Sequence, residues 1–323
     1  MQNEGSSIND FCRYIFDKYE DLHLISEETM AKEFRKFYRL PKIVSLSELY
    51  NLCKRLGIKK LEGMDFLTRK LRGFHDRYKK GEYAVYYSNN DWQGAKEHTI
   101  LHELREIISE TFEKIHKGYK KPSNLEFLAN EFAAAVLMPQ QDFLNAIYET
   151  GFDALKIREM FFRSYSSAVL RMASVLYGKQ RFIGVLYEKV NPMDHLENNF
   201  ESKIFGKPQP LETTYVIKKP KIKRGKNNGR ILWCMLPRKD RYFEDGSLAD
   251  ECFTQGRSIY RDRVKGFDLF GDDEFSFIAR PVIWKSGISK VILIGVPYKD
   301  RNLLDKQIQD INPVRSSESF QII

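Results

Sequence analysis

The sequence predicts an α+β fold in two parts: a mostly helical first half that holds a small sheet, and a second half in which strands dominate. Three observations carry this. From Ala95 to Ile115, the residues Ile100, Leu101, Leu104, Ile107, Ile108, Phe112 and Ile115 recur at helical spacing. From Leu125 to Met138 the chain is apolar almost all round, the mark of an interior helix, and Pro139 stops it. Beyond Lys179 the periodicity changes, and runs of β-branched and aromatic residues replace helical ones.

Taken in order, residues 1–40 read as an amphipathic helical extension, with Phe11, Tyr14, Ile15 and Tyr19 on the side that packs against the body. After Pro41, Ser45 and Glu48 form a capping box that opens a helix, and Gly57 ends it. The section Lys59–Asn90 is short and mixed. Within it, Glu82–Ser88 reads as a strand because Tyr83, Val85, Tyr86 and Tyr87 favour extended backbone. Asn89, Asn90 and Asp91 then turn the chain into the long helix.

Beyond residue 140, helical stretches at Asp142–Tyr148, Ala154–Phe161 and Ala168–Leu176 surround a short Arg-Ser-Tyr-Ser turn. This unit, residues 141–179, fits either a helix-turn-helix or plain helix packing, and Arg163 and Arg171 are its candidate phosphate or base readers. Residues 180–323 form a separate α+β part. Its strands are expected at Phe182–Tyr187, Thr213–Ile217, Arg230–Leu236, Phe275–Trp284 and Lys290–Val296, the last two joined by a turn at Lys285-Ser286-Gly287. A helix in this part leads to a basic loop with Arg257, Arg261, Arg263 and Lys265, which is either charged surface or a cover for an anionic ligand. The end from Asn312 is polar and expected to fray.

Composition narrows the class. A chain of 323 residues can bury a sizeable core and form about two domains. No apolar run is long enough to span a bilayer, and the polar start lacks a signal-peptide core, so a soluble cytoplasmic protein is expected. Cys12, Cys53, Cys234 and Cys252 are too scattered for a disulfide framework and read as buried thiols. A net charge of +9 permits contact with nucleic acid without demanding it. The densest basic run, Lys218 to Lys226, suits a solvated loop or a phosphate-binding strip.

The chemistry concentrates on the two central helices. His98, His102, Glu106 and Glu113 gather on the polar side of the first, and Glu126 and Asn130 lie four apart on the second. His102 and Glu103 begin the H-E-x-x-H pattern of zincins, with Glu106 in the place of the second His. Residues four apart share a helix face, so His102 and Glu106 can hold one divalent ion, with Glu103 beside a water as general base and Glu126 closing the shell.

Plainer explanations stand beside this one. Charged residues belong on the polar side of an amphipathic helix, and Ser123 with Glu126 has capping-box spacing. His98 with His102 offers an alternative ligand pair, one that places Glu103 poorly as a base. One imidazole with two carboxylates is a harder donor set than two imidazoles, which makes manganese or iron competitive with zinc. The added negative charge weakens the ion as a Lewis acid, predicting slow turnover or activity only when a partner rearranges the site. Tyr83, Val85 and Tyr87 would lie on a substrate-pairing edge strand, or simply in a core strand.

The runs H-T-I-L-H-E-L-R-E and E-F-L-A-N-E-F-A-A-A-V-L-M-P resemble the signature of the ImmA/IrrE family of metallopeptidases. The match covers His102, Glu103, Glu126, Ala129, Asn130, Phe132, Ala133, Ala134, Leu137, Met138 and Pro139, and departs from it at Glu106. The resemblance implies a zincin-like metallopeptidase domain over residues 41–140 and one divalent ion, zinc or manganese. The ligands would be His102, Glu106 and Glu126, and the base Glu103. It further implies a helix-turn-helix-like unit, and a GAF-like sensory domain over 180–323 as in the radiation-response and phage-defence branch, able to take a small ligand or nucleic acid. The implied substrate is a protein, a DNA-binding helix-turn-helix repressor, with DNA contact a further option and no membrane partner.

Overall fold

Serine side chains start the first three helices in the computed structural model, which describes residues 7–67, 71–78, 82–188, 247–265, 274–284 and 287–311. Ser7 caps α1 (Ile8–Lys18), Ser26 caps α2 (Glu27–Tyr38) and Ser45 caps α3 (Leu46–Arg55), the first and third as full capping boxes with Asp10 and Glu48. Gly57 follows α3 at φ +80°, as the C-terminal stop requires. The chain falls into two compact units, Met1–Asp142 and Phe143–Ile323.

In the first unit, α1 and α2 are part of the core. Phe11, Phe34 and Tyr38 are buried and meet edge-on or tilted, and Phe34 also meets Phe132, with ring centroids 5.3 Å apart. A three-stranded sheet follows, ordered β1-β3-β2, with β1 (Ile58–Met64) parallel and β2 (Gly73–Arg77) antiparallel to β3 (Tyr83–Ser88). The expectation that Tyr83, Val85 and Tyr87 lie on an edge is therefore corrected. β3 is the central strand, and ladders on both sides use its backbone donors and acceptors. Among the described strands, β1 and β2 are the edges.

α4 (Gln93–Ile115) is 23 residues long, about 34 Å, and buries Ile100, Leu101, Leu104, Ile107, Ile108 and Phe112 completely, while Ile115 is exposed at its end. α5 (Leu125–Leu137) packs on both α4 and α2 through Ala129, Phe132, Ala133 and Val136. It is less interior than its composition suggests, since Phe127 is 60% exposed. Deep in this unit the Arg105 guanidinium donates two 2.7 Å hydrogen bonds to Glu27, and a third to Ser109, tying α4 to α2.

The boundary between units falls within α6 (Gln140–Thr150). The second unit continues with α7 (Ala154–Phe161), α8 (Tyr165–Leu176), β4 (Ile183–Glu188), α9 (Leu248–Gln255), β5 (Ile259–Lys265), β6 (Glu274–Trp284) and β7 (Gly287–Pro297). A 3-10 segment then leads to α10 (Asp305–Ile311). The four strands make an antiparallel sheet ordered β4-β7-β6-β5.

Two expectations change here. Arg163, in the turn between α7 and α8, and Arg171, on α8, are only 3% and 2% exposed, so neither is placed to reach a phosphate or base. Of the expected basic loop, Arg261, Arg263 and Lys265 lie on strand β5 and Arg257 just before it; Arg261 pairs with Glu251, and Arg263 stacks on Tyr298 with the guanidinium 4.7 Å from the ring centre. Cys12, Cys53 and Cys252 are buried free thiols, as expected, and burial pushes the Cys53 thiol up to about 12. Cys234, the strands expected at 213–217 and 230–236, the basic run at 218–226, the turn residues 285–286 and the end from 312 lie outside the described residues. Among the described residues, no helix is long and apolar enough to cross a membrane.

Candidate metal centre

The polar side of α4 faces a cavity of about 600 Å³ lined by β2, α4 and α5, including Gly73, His75, His98, His102, Glu103 and Glu126. The approach of β2 to α4 depends on Gly73. A Cβ there would lie 2.3 Å from Thr99 Cγ2 and 2.6 Å from the Tyr86 carbonyl oxygen, so only glycine lets strand and helix come this close.

His102, Glu106 and Glu126 each bring a donor atom within 4.8 Å of the other two. His102 Nε2 lies 3.4 Å from Glu126 Oε2 and 3.8 Å from Glu106 Oε1. Atoms bonded at roughly 2.0–2.1 Å to one tetrahedral ion stand about 3.3 Å apart, so a small inward movement completes such a shell. His102 is turned the right way for it. Its Nδ1 meets Asn130 Oδ1 at 3.3 Å, and the orientation of that amide is set by its nitrogen, which donates to the Glu126 carbonyl at 2.7 Å. The bond leaves Nε2 as the free lone pair, the usual bracing of a metal-binding imidazole. The residues present therefore fit a divalent ion.

The capping alternative for Glu126 is not what forms. α5 begins after Asn124 without a side-chain cap, and the Glu126 side chain stands 79% exposed with an oxygen toward His102. His98 lines the same cavity but belongs to neither close group of donors. Glu113 turns to the following loop, accepting a hydrogen bond from the Lys121 backbone.

Sequence reasoning missed His75 and Glu110. His75, on β2, places Nδ1 2.8 Å from Glu103 Oε2 and 3.6 Å from Glu106 Oε2, with Nε2 3.4 Å from Glu110. Burial by itself lowers the basicity of His75, but the hydrogen bonds and charges of Glu103 and Glu110 outweigh it and hold its pKa above the ordinary value. Burial works against the charge of Glu110 too, yet hydrogen bonds from Lys121, Arg77 and His75 hold it down to about 2. Glu106 goes the other way, raised by burial and by the adjacent Glu103 carboxylate. For Glu110 the available signal was spacing: Glu103, Glu106 and Glu110 follow one another on a single stripe of α4.

Residues 53–173 match the model of the IrrE N-terminal-like domain of the peptidase M78 family. Among solved structures, the chain is similar in fold to a Mycobacterium tuberculosis transcriptional regulator. The TM-score is 0.52 and the identity 12%, over 93% of this chain and 84% of that one. No curated protein matches the chain.

Proposed function

We propose that the chain is a metal-dependent endopeptidase-type regulator that cleaves a specific protein, a DNA-binding repressor by substrate class, in a stress or defence response. The observation that carries this is the convergence of His102, Glu106 and Glu126 on one point beside Glu103. The M78-domain match over residues 53–173 and the regulator fold of the similar structure support it.

In this reading His102, Glu106 and Glu126 hold the ion, zinc or manganese, which when bound polarises a water and the scissile carbonyl. Glu103 is the general base: it accepts the proton of the attacking water and returns it to the leaving nitrogen. His75 holds the Glu103 carboxylate in place at 2.8 Å. The substrate strand lies along β2, the sheet edge that lines the cavity, rather than along β3. Residues 41–140 would be the zincin-like peptidase domain, 141–179 a helical unit, and 180–323 a GAF-like sensory domain that governs it.

A second reading, a regulatory binding protein without catalysis, is favoured by one observation: a carboxylate, Glu106, occupies the second-histidine position, which weakens the ion as a Lewis acid. Elemental analysis and a cleavage assay on candidate repressors separate the two. The peptidase reading expects bound metal in the wild type, loss of that metal in Glu106→Ala, and in Glu103→Gln a fall in cleavage of about 10²–10⁴-fold with the metal retained. Metal without cleavage supports the second reading; absence of metal from the wild type overturns the first.

A further inference from the structure

Glu106 stands between two imidazoles. Its Oε1 faces Nε2 of His102 at 3.8 Å, and its Oε2 faces Nδ1 of His75 at 3.6 Å. A histidine at this position would have one nitrogen to offer an ion; a carboxylate has two oxygens, and here each points at a different ring. The second ring has its own donor group. His75, Glu103 and Glu106 bring atoms within 4.8 Å of one another, as His102, Glu106 and Glu126 do.

Both rings are braced on the side away from Glu106: His102 through Nδ1 by Asn130, and His75 through Nε2 by Glu110. A carboxylate behind an imidazole is the arrangement that orients metal-binding histidines. Glu110 is itself fixed by Arg77 at 2.7 Å and by Tyr83 and Lys121 at 3.0 Å. The nearby cations are thus engaged with Glu110, while the ionic contacts of Glu103 and Glu106 are made with imidazoles.

We propose that His75, Glu103 and Glu106 form a second divalent-cation site that shares Glu106 with the first, and that filling it switches the peptidase off by taking Glu103 as a ligand. The switching rests on the peptidase reading; the site does not. The second ion replaces the Nδ1 proton of His75, which leaves to solvent, while Nε2–H stays on Glu110. The 2.8 Å separation of Nδ1 and Glu103 Oε2 opens to about 3.3 Å, the spacing of donors on one tetrahedral ion, and the 3.6 Å separation from Glu106 closes to the same value. One imidazole with two carboxylates suits zinc or manganese. Ions in two-metal hydrolytic centres sit roughly 3.5–4 Å apart. Glu103, once coordinated through Oε2, is held toward the ion, and the cation draws off the charge that makes its other oxygen a base for water.

The test is a titration of the metal-free full-length protein with zinc chloride, read by calorimetry and elemental analysis. The wild type should take two equivalents in separate steps. His75→Ala, and His75→Gln, which keeps a hydrogen-bonding side chain, should keep the first and lose the second. Wild type loaded with manganese should give an exchange-coupled electron paramagnetic resonance signal, a readout that does not depend on either variant folding. A single equivalent in the wild type, a second equivalent that survives both substitutions, or uncoupled manganese at saturation overturns the second site and leaves the peptidase reading intact. No bound zinc at all overturns both. Cleavage undiminished between one and two equivalents overturns the switching.

Discussion

At the residue scale, the acid response of the first unit has an identifiable source. Glu33 on α2 accepts from Lys18 at 2.7 Å and from Tyr14 and Tyr19, and although burial opposes its charge, these partners hold its carboxyl below the ordinary value. A lowered carboxyl pKa contributes stability that is fully present above the unfolded value, near 4.5, and is lost as pH falls through the folded one. Glu33→Gln should therefore be less stable than wild type at neutral pH and lose less between pH 5 and pH 3, by urea denaturation at each pH. Parallel pH curves for the two proteins would rule Glu33 out as a source of the acid sensitivity. Residues of this kind differ in how plainly the sequence announces them. His102, Glu103 and Glu106 were legible because helical spacing is local, and Glu126 through the E-F-L-A-N-E-F-A-A-A run that resembles the family signature. His75 was not: it meets Glu103 across 28 residues of chain, through a strand-to-helix approach that nothing in G-F-H-D-R encodes except the glycine.

At the scale of elements, two contacts hold the candidate site in place. The Arg105–Glu27 pair is buried, with Glu27 8% and Arg105 4% exposed. Removing one member strands the other's charge, so Glu27→Ala should cost about 3–5 kcal/mol in chemical denaturation. The double replacement by apolar residues, Glu27→Leu with Arg105→Met, should recover most of that. Failure of the double variant to recover would mean the pair supplies more than mutual neutralisation. Gly73→Ala should cost about 1–3 kcal/mol, because the new methyl meets Thr99 and the Tyr86 carbonyl. Adding Thr99→Ser should relieve only part of the loss, since the backbone oxygen stays. The capping box at Ser45 and the apolar stripes made α3, α4 and α5 readable from sequence, because each signal sits within a few residues of its effect, whereas α1 and α2 read as one extension without the break between Lys18 and Glu27. The order β1-β3-β2 was not readable: propensity marks a strand without saying which neighbours it takes. Nor was the burial of Arg163 and Arg171, since charge argues for the surface until a packing partner is known.

For the whole molecule, the donors of both cation groups lie in the unit Met1–Asp142, whereas the larger sheet, β4 to β7, lies in Phe143–Ile323. Zinc should therefore act on one unit. An ion at 100 times its dissociation constant adds about 2.7 kcal/mol to the state that binds it. Hydrogen exchange should show that gain first as slower amides in β2, α4 and α5. Slowing in the larger sheet alone would place the ion elsewhere. The change from helical to strand periodicity near Lys179 made this second half legible as a different kind of structure, but an ordinary antiparallel sheet carries no mark of what it does.

One further consequence comes from the position of Glu126, whose carboxylate stands 79% exposed on α5 while His102 is 12% exposed. A shell with one wall in open solvent can be filled and emptied without unpacking the helices. Exchange with chelators should be quick, and the ion carried would follow whichever divalent metal the surroundings hold free.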